Sequence, residues 1–316
     1  MPRAGKNAYP RASWYTRLGR DLRRNHTLYL YLLPAVLITL LFHYLPIYGI
    51  QIAFRDFRPV KGIMGSPWVG FKHFIRFFQS YQFTSLIRNT LGISLLSLLI
   101  AFPFPIFMAL MFSQIRNKRI QRTVQTITYT PHFISTVVMC SMIIMFLSPN
   151  NGLYGHIVRA FGGTPENLLA NASAFRPIYV LTDIWQHSGW DSIIYLSALS
   201  SIDTQLYDAA MVDGASKLKR ILYIDIPSII PTIVILFILR AGNLMSVGFE
   251  KVFLLQNSLN ITTSEVISTY VYKIGLEKSQ QYSYSAAIDV FNIVINFILL
   301  ISVNTISKRI SETGLW

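Results

Sequence analysis

Charge is scarce in this sequence. Asp, Glu, Lys and Arg make up 13% of its 316 residues, against 52% apolar residues, and the mean hydropathy is +0.43. Soluble domains carry about twice that charged share. A chain this apolar needs lipid as its solvent, which excludes one large or two ordinary soluble domains. Cysteine is nearly missing: Cys140 stands alone, so neither an intrachain disulfide nor a cysteine-rich metal cluster can form. Flanked by Met139, Ser141 and Met142, it reads as a small packing residue. Several signatures are absent too. There is no Gly-x-x-x-x-Gly-Lys-Ser/Thr loop to cradle ATP, no His-Glu-x-x-His and no Gly-x-Ser-x-Gly. His26, His43, His73, His132, His156 and His187 are scattered and read as interfacial or core residues rather than metal ligands. Catalysis has no visible home, and the chain reads as a non-enzyme.

What is present is a net charge of +14, distributed between long uncharged stretches. A nucleic-acid protein gathers its cations in one patch on a soluble body; this spacing instead sets orientation in a membrane. Residues 1–27 form a basic segment, with Arg17, Arg20, Arg23 and Arg24 close to the first apolar run. That run, Leu28 to about Gln51, carries no Lys, Arg, Asp or Glu and reads as an uncleaved first helix. Further spans are expected at about Asn89–Gln114 (bent by Pro103 and Pro105), Thr123–Leu147, Pro177–Ser201, Ser228–Gly248 and Ser285–Ser307. With the amino terminus inside, the inner segments hold 16 Lys and Arg and the outer connections 9. Both termini are therefore expected in the cytoplasm. In the first outer connection, Phe71, Phe74, Phe77 and Phe78 suit either an interfacial helix or a loop folded over the helix ends.

Charges inside spans cost roughly 2.5–3.5 kcal/mol each on insertion scales, so they face a bundle interior or a watery path. Asp183, His187 and Asp191 recur at i, i+4 and i+8, with Gln186 and Trp190 beside them. Arg240, Asn243 and Glu250 are expected to share a face of the fifth span, and Asp289, Asn292 and Asn296 one of the sixth. Two readings stay open. One is a translocation pathway whose amides, carboxylates and Trp185 or Trp190 meet a hydroxyl-rich cargo. The other is interhelical bonding, with Arg240 paired to an acid such as Asp289. The pathway candidates are Gln186, Trp190, Asp191, Arg240, Asn243 and Asn292. An anionic cargo would suit the Arg240 guanidinium, although the acidic stripe of the fourth span counts against it.

Residues from about 203 to 227 are the most informative. Tyr207-Asp208-Ala209-Ala210-Met211-Val212-Asp213-Gly214-Ala215, continued by Ile224-Asp225-Ile226-Pro227 and Pro231, reads as a short helix, a glycine break, a second helical stretch and a proline start to the fifth span. Asp203 or Thr204 could cap the first helix, and Asp208 near its amino end would favour the dipole. Ala209 and Ala210 give a surface another protein can approach closely.

This elbow resembles the Glu-Ala-Ala loop of ABC importer permeases. Asp208 stands where that family usually has Glu and Ile226 where it has Leu. Ala209, Ala210, Asp213, Gly214, Ala215, Ile224, Pro227 and Pro231 match in type and spacing. Gly65-Ser66-Pro67-Trp68-Val69-Gly70-Phe71, Arg240-Ala241-Gly242-Asn243 and Val266 to Tyr272 extend the likeness to the carbohydrate-uptake (LplB-like, MalF-like) type over about residues 28–310. Asp289 stands where a small residue is expected.

The resemblance implies an all-α integral membrane protein with six transmembrane helices and the type I (MetI-like) permease architecture. The transmembrane domain would span 28–310, with a short cytoplasmic tail at 311–316. It implies a multi-pass protein of the bacterial cytoplasmic membrane that imports oligosaccharides or polysaccharide fragments, with uronides such as alginate or pectin fragments among them. The implied partners are a second permease, two ATPase subunits that carry the ATP and Mg, and an extracytoplasmic binding protein. No cofactor on this chain is implied. An ion-coupled secondary transporter or channel is the competing reading; it would use the buried acids as proton or sodium sites but leaves the elbow unexplained, and no inverted repeat supports it.

Overall fold

The computed structural model describes residues 24–277 and 280–316. Most of the basic amino-terminal segment, including Arg17, Arg20 and Arg23, lies outside the described residues. Among these the chain is helical, with no strand and two isolated bridges, Arg55 with Trp68 and Arg58 with Gly62.

Among the described residues, four helices are long and apolar enough to cross a membrane: α1 (His26–Phe54), α3 (Phe83–Ser113), α8 (Lys217–Gly242) and α10 (Tyr282–Ser311). Between them lie α6 (Phe175–Ser200), as long as α8 but less apolar, and shorter helices that include α2 (Lys72–Phe78), α7 (Thr204–Val212) and α9 (Phe249–Leu255). A bent pair, α4 (Lys118–Phe133) and α5 (Thr136–Phe146), can make one further crossing.

Prolines explain three of the irregular turns. A proline ring clashes with the carbonyl four residues back and offers no N–H. Ahead of Pro46, Pro103 and Pro227 the helix widens by one residue, into π-turns at Leu40–Tyr44, Ser97–Ala101 and Ile221–Asp225. The amides of Leu45, Phe102 and Ile226 then bond five residues back, to Leu40, Ser97 and Ile221. The helices therefore continue through their prolines. Pro227 accordingly does not start the fifth span: α8 begins at Lys217 and ends at Gly242, short of the expected Gly248.

The span expected over Thr123–Leu147 is broken into the two helices of the bent pair. Its halves meet at 99°, at a 3₁₀ turn over Thr130–Phe133 containing Pro131. Ser135 restarts the helix, its hydroxyl accepting from the Val138 amide at 3.4 Å. Gln186 Nε2 donates to the carbonyl of Ile134 at 3.1 Å and satisfies the backbone at the break.

At its centre runs α6. Phe175, Tyr179, Val180 and Ile184 pack with Ile93, Met139, Cys140 and Val252, and lower down Tyr195 and Leu199 pack with Ala109 and Ile229. Its 26 residues give about 39 Å at 1.5 Å each, enough to span. Of its polar residues, Gln186, Ser188 and Ser192 are buried in the protein, and Asp183, His187 and Asp191 line cavities. The first turns of α1 bury nothing within this chain. In the first outer connection, Phe54 stacks on Trp68 and touches Phe71 and Phe74, while Phe77 is buried against Phe83 and Phe291. Phe74 and Phe77 thus pack onto the helix ends, while Phe71 and Phe78 stay exposed.

Candidate functional site

Two features carry chemistry: a charged cluster inside the bundle, and the elbow at α7.

Asp183 on α6 is the hub of the cluster. Its Oδ1 lies 3.2 Å from His187 Nδ1 one turn away and 3.6 Å from Lys251 Nζ, and its Oδ2 lies 3.6 Å from Arg240. Lys251 is only 5% exposed; it donates to the Tyr179 carbonyl at 3.1 Å and sits 4.7 Å from the Tyr179 ring centre. Both cations come from either side of a break. With α8 ending at Gly242 and α9 beginning at Phe249, irregular backbone runs through Asn243–Gly248. Non-helical backbone at such a place is tolerated where it lines a cavity or is bonded by protein. Here both hold: Asn296 on α10 accepts from the Met245 amide at 3.0 Å and donates to the Ser246 hydroxyl at 2.8 Å.

Two cavities of about 350 and 320 Å³ adjoin this cluster, and Asp183, His187, Asp191, Arg240 and Asn243 line both. The i, i+4, i+8 stripe of α6 is thus the shared wall. Of the pathway candidates, the structure brings Asp191, Arg240 and Asn243 together. Gln186 is 3% exposed and occupied at the helix break, and Trp190 stacks on His132 with ring centres 4.7 Å apart; neither lines these cavities. Asn292 also stays outside them, with its Oδ1 buried and unpartnered. The expected pairing of Arg240 with Asp289 does not form: Arg240 faces Asp183, and Asp289 is exposed on α10. Nor do Arg240 and Glu250 share a helical face, because the helix ends between them.

Sequence reasoning missed Lys251 and Tyr179. The available signal was a lone Lys251 set among Phe249, Val252, Phe253 and Leu254, a position too apolar for a solvated lysine.

At the elbow, Asp203 caps α7, its Oδ1 accepting from the Gln205 amide at 2.9 Å. Asp208 falls beyond the first turn, so the cap rather than Asp208 serves the helix start. The helix closes with the Ala215 amide bonded to the Ala210 carbonyl at 2.9 Å, across Gly214 at φ +72°. Ser216 then caps the start of α8, accepting from Lys219 at 3.4 Å. Asp208, Ala209, Asp213, Gly214 and Pro227 are exposed, and so are the apolar Leu206, Met211, Val212 and Leu218; Val212 is 89% exposed. Ala210 and Ala215 are half-buried. On the other face, Tyr207 donates to Asp225, which is 1% exposed and also accepts from Gln114 Nε2 at 3.3 Å. Burial first, and then the bond to Asp225, push the Tyr207 phenol above its ordinary pKa, so it stays a donor.

Residues 101–312 match the family described as the binding-protein-dependent transport system inner membrane component. The chain belongs to this family. Its relatives include the polygalacturonan/rhamnogalacturonan transport system permease protein YteP of Bacillus subtilis (strain 168), 44% identical over 95% of this chain and 93% of the relative. Protein LplB of the same organism is 39% identical over 96% and 94%. Among solved structures, a chain of a bacterial alginate ABC transporter in complex with an alginate pentasaccharide-bound periplasmic protein superposes with a TM-score of 0.87 at 40% identity, covering 95% of this chain and all of that one. The architecture is therefore the all-helical, MetI-like permease fold that the resemblance implied, and the competing ion-coupled reading loses its support. The elbow Asp208–Ala215 and the cluster around Asp183 both lie within the matched region.

Proposed function

We propose that this permease is one of two membrane-spanning subunits of an ATP-driven importer that takes oligosaccharides or polysaccharide fragments, uronides included, from an extracytoplasmic binding protein. It crosses the cytoplasmic membrane six times, through α1, α3, the bent α4–α5 pair, α6, α8 and α10, with both termini inside. The chain is not an enzyme and binds no cofactor; ATP and Mg belong to two separate ATPase subunits. Cation density on the inner side supports that orientation, and the names of its relatives support the cargo class.

One observation carries this reading. The elbow presents Leu206, Met211, Val212 and Leu218 to solvent beside small alanines, as an unpartnered docking surface would. At the same time Tyr207 fastens its inner face to Asp225 on α8 and so to Gln114 at the end of α3. Closure of the ATPases pushes on the exposed face, and the buried carboxylate passes the displacement to two spans. These spans line the cavities at Asp183, so the stroke alternates access to the pathway. ATP shifts that equilibrium because it is bound in only one ATPase arrangement; a ligand without differential affinity would shift nothing.

The test is reconstitution of the chain with its second permease and ATPases in vesicles. Uptake of labelled oligogalacturonate that requires ATP and binding protein supports the reading; uptake driven by a sodium or proton gradient overturns it.

A further inference from the structure

A further cavity, of about 660 Å³, lies at the outer ends of α3 and α6, where the three connections read as extracytoplasmic converge. Two arginines line it, Arg88 and Arg176, with the hydroxyls of Thr84, Ser85 and Ser173, and no carboxylate. Its walls are fixed. Asn89 Nδ2 donates to the carbonyls of Thr262 and Glu265 at 2.9 and 3.0 Å, and Thr263 donates to that of Ala172 at 2.5 Å.

Arg176 is held in place rather than free. Its Nη2 donates to Asn89 Oδ1 at 3.0 Å, and the guanidinium packs over Gly92, where an added Cβ would lie 2.6 Å from Nη1. Its Nε is buried without a partner. Among the described residues neither arginine has a carboxylate within 4.0 Å, although the nearby Glu265 pairs with Lys273. Two like charges that share one cavity repel, a cost that an anion between them would remove.

We propose that this cavity binds a carboxylate-bearing sugar residue at the outer mouth of the permease. Arg88 and Arg176 take the carboxylate, and Thr84, Ser85 and Ser173 take the ring hydroxyls. Planar guanidinium forks match carboxylate geometry, and charge-assisted hydrogen bonds are the strong ones. An acidic side chain of a docking protein would satisfy the arginines but leave a concave, hydroxyl-lined wall unused, so the cavity favours the sugar. The inference rests on the proposed uronide cargo and gives it a place of first contact.

The test uses the assembled importer in nanodiscs without binding protein, titrated calorimetrically with digalacturonate and with its neutral digalactose counterpart. The wild type binds the first and not the second. Arg88→Gln, at an exposed side chain, weakens binding about tenfold or more without lowering the melting temperature, and Arg88→Lys falls between. Unchanged affinity in Arg88→Gln, or no binding by the wild type, overturns the site. Weaker capture of the binding protein with sugar binding unaltered also overturns it, assigning the arginines to docking. Uronide uptake by the whole importer, measured in parallel, separates the two claims: uptake without an Arg88 effect removes the site and leaves the cargo, whereas no uptake removes the cargo and the site together.

Discussion

The hydroxyl of Tyr207, on the elbow, donates to the buried carboxylate of Asp225, at the root of the fifth span. This bond joins the proposed docking surface to the helix that carries Arg240. Tyr207→Phe keeps the ring and removes the donor, leaving Asp225 with Gln114 as its remaining side-chain partner. Losing a hydrogen bond to a charged, buried group costs about 1.5–3 kcal/mol. Sugar-stimulated ATP hydrolysis and transport should drop by about tenfold or more relative to basal hydrolysis. Sugar-stimulated hydrolysis and transport at wild-type levels in this variant would show that the bond carries no stroke.

Gly214 closes the same elbow at a positive φ, where a non-glycine residue is disfavoured by roughly 1–2 kcal/mol. A Cβ there meets nothing within 4 Å, so the penalty is conformational and local. Gly214→Asp should abolish sugar-stimulated ATPase activity of the assembled complex while the chain still inserts into the membrane. Normal coupling in that variant would remove the role given to the turn.

Lys251 and Asp183 should behave as a unit. Removing one partner of a buried pair costs about 3–5 kcal/mol, while replacing both can be close to neutral. Lys251→Met alone should lower the melting temperature and yield of the complex, and adding Asp183→Asn should recover much of both. Additive losses in the double variant would mean that the two do not compensate each other.

Arg240 faces both cavities from the end of α8. Arg240→Gln should lower uptake of oligogalacturonate by about tenfold and leave a neutral oligosaccharide less affected. Equal losses for both cargoes would make Arg240 a bundle-holding residue and not a discriminating one.

Outside the membrane, Asp56 accepts from Lys72 at 2.7 Å and lies 3.0 Å from His73. The Lys72 bond holds its carboxyl below the ordinary value of 3.8. A carboxylate with a lowered folded-state pKa stabilises fully above its unfolded value and loses that contribution as pH falls through the folded one. The melting difference between wild type and Asp56→Asn should be constant above about pH 4 and shrink below it. A difference that persists unchanged into stronger acid would mean the charge of Asp56 is not what stabilises.

Much of this was legible in the sequence, for definite reasons. Long uncharged runs located the four long apolar helices α1, α3, α8 and α10, and the i, i+4, i+8 spacing placed Asp183, His187 and Asp191 on one wall. The elbow was legible because its glycine and alanines recur at fixed spacing. The bend at Pro131 was hidden, since hydropathy does not change across it. The partner of Arg240 was missed because helix pairing is a three-dimensional property: Asp183 and Asp289 are equally acidic in sequence, and only packing brings the first to the guanidinium. Asp225 went unweighed because nothing in its local sequence distinguishes a buried aspartate from an exposed one. Its burial against Tyr207 and Gln114 comes from the packing of three separate segments.

The most direct test is uptake of labelled oligosaccharide into vesicles holding this chain and its companion permease, with and without the ATPase subunits. ATP-dependent uptake only when the ATPases are present, lost in Gly214→Asp, is the expected result. Uptake by the membrane subunits alone, without any nucleotide-hydrolysing partner, would contradict the account.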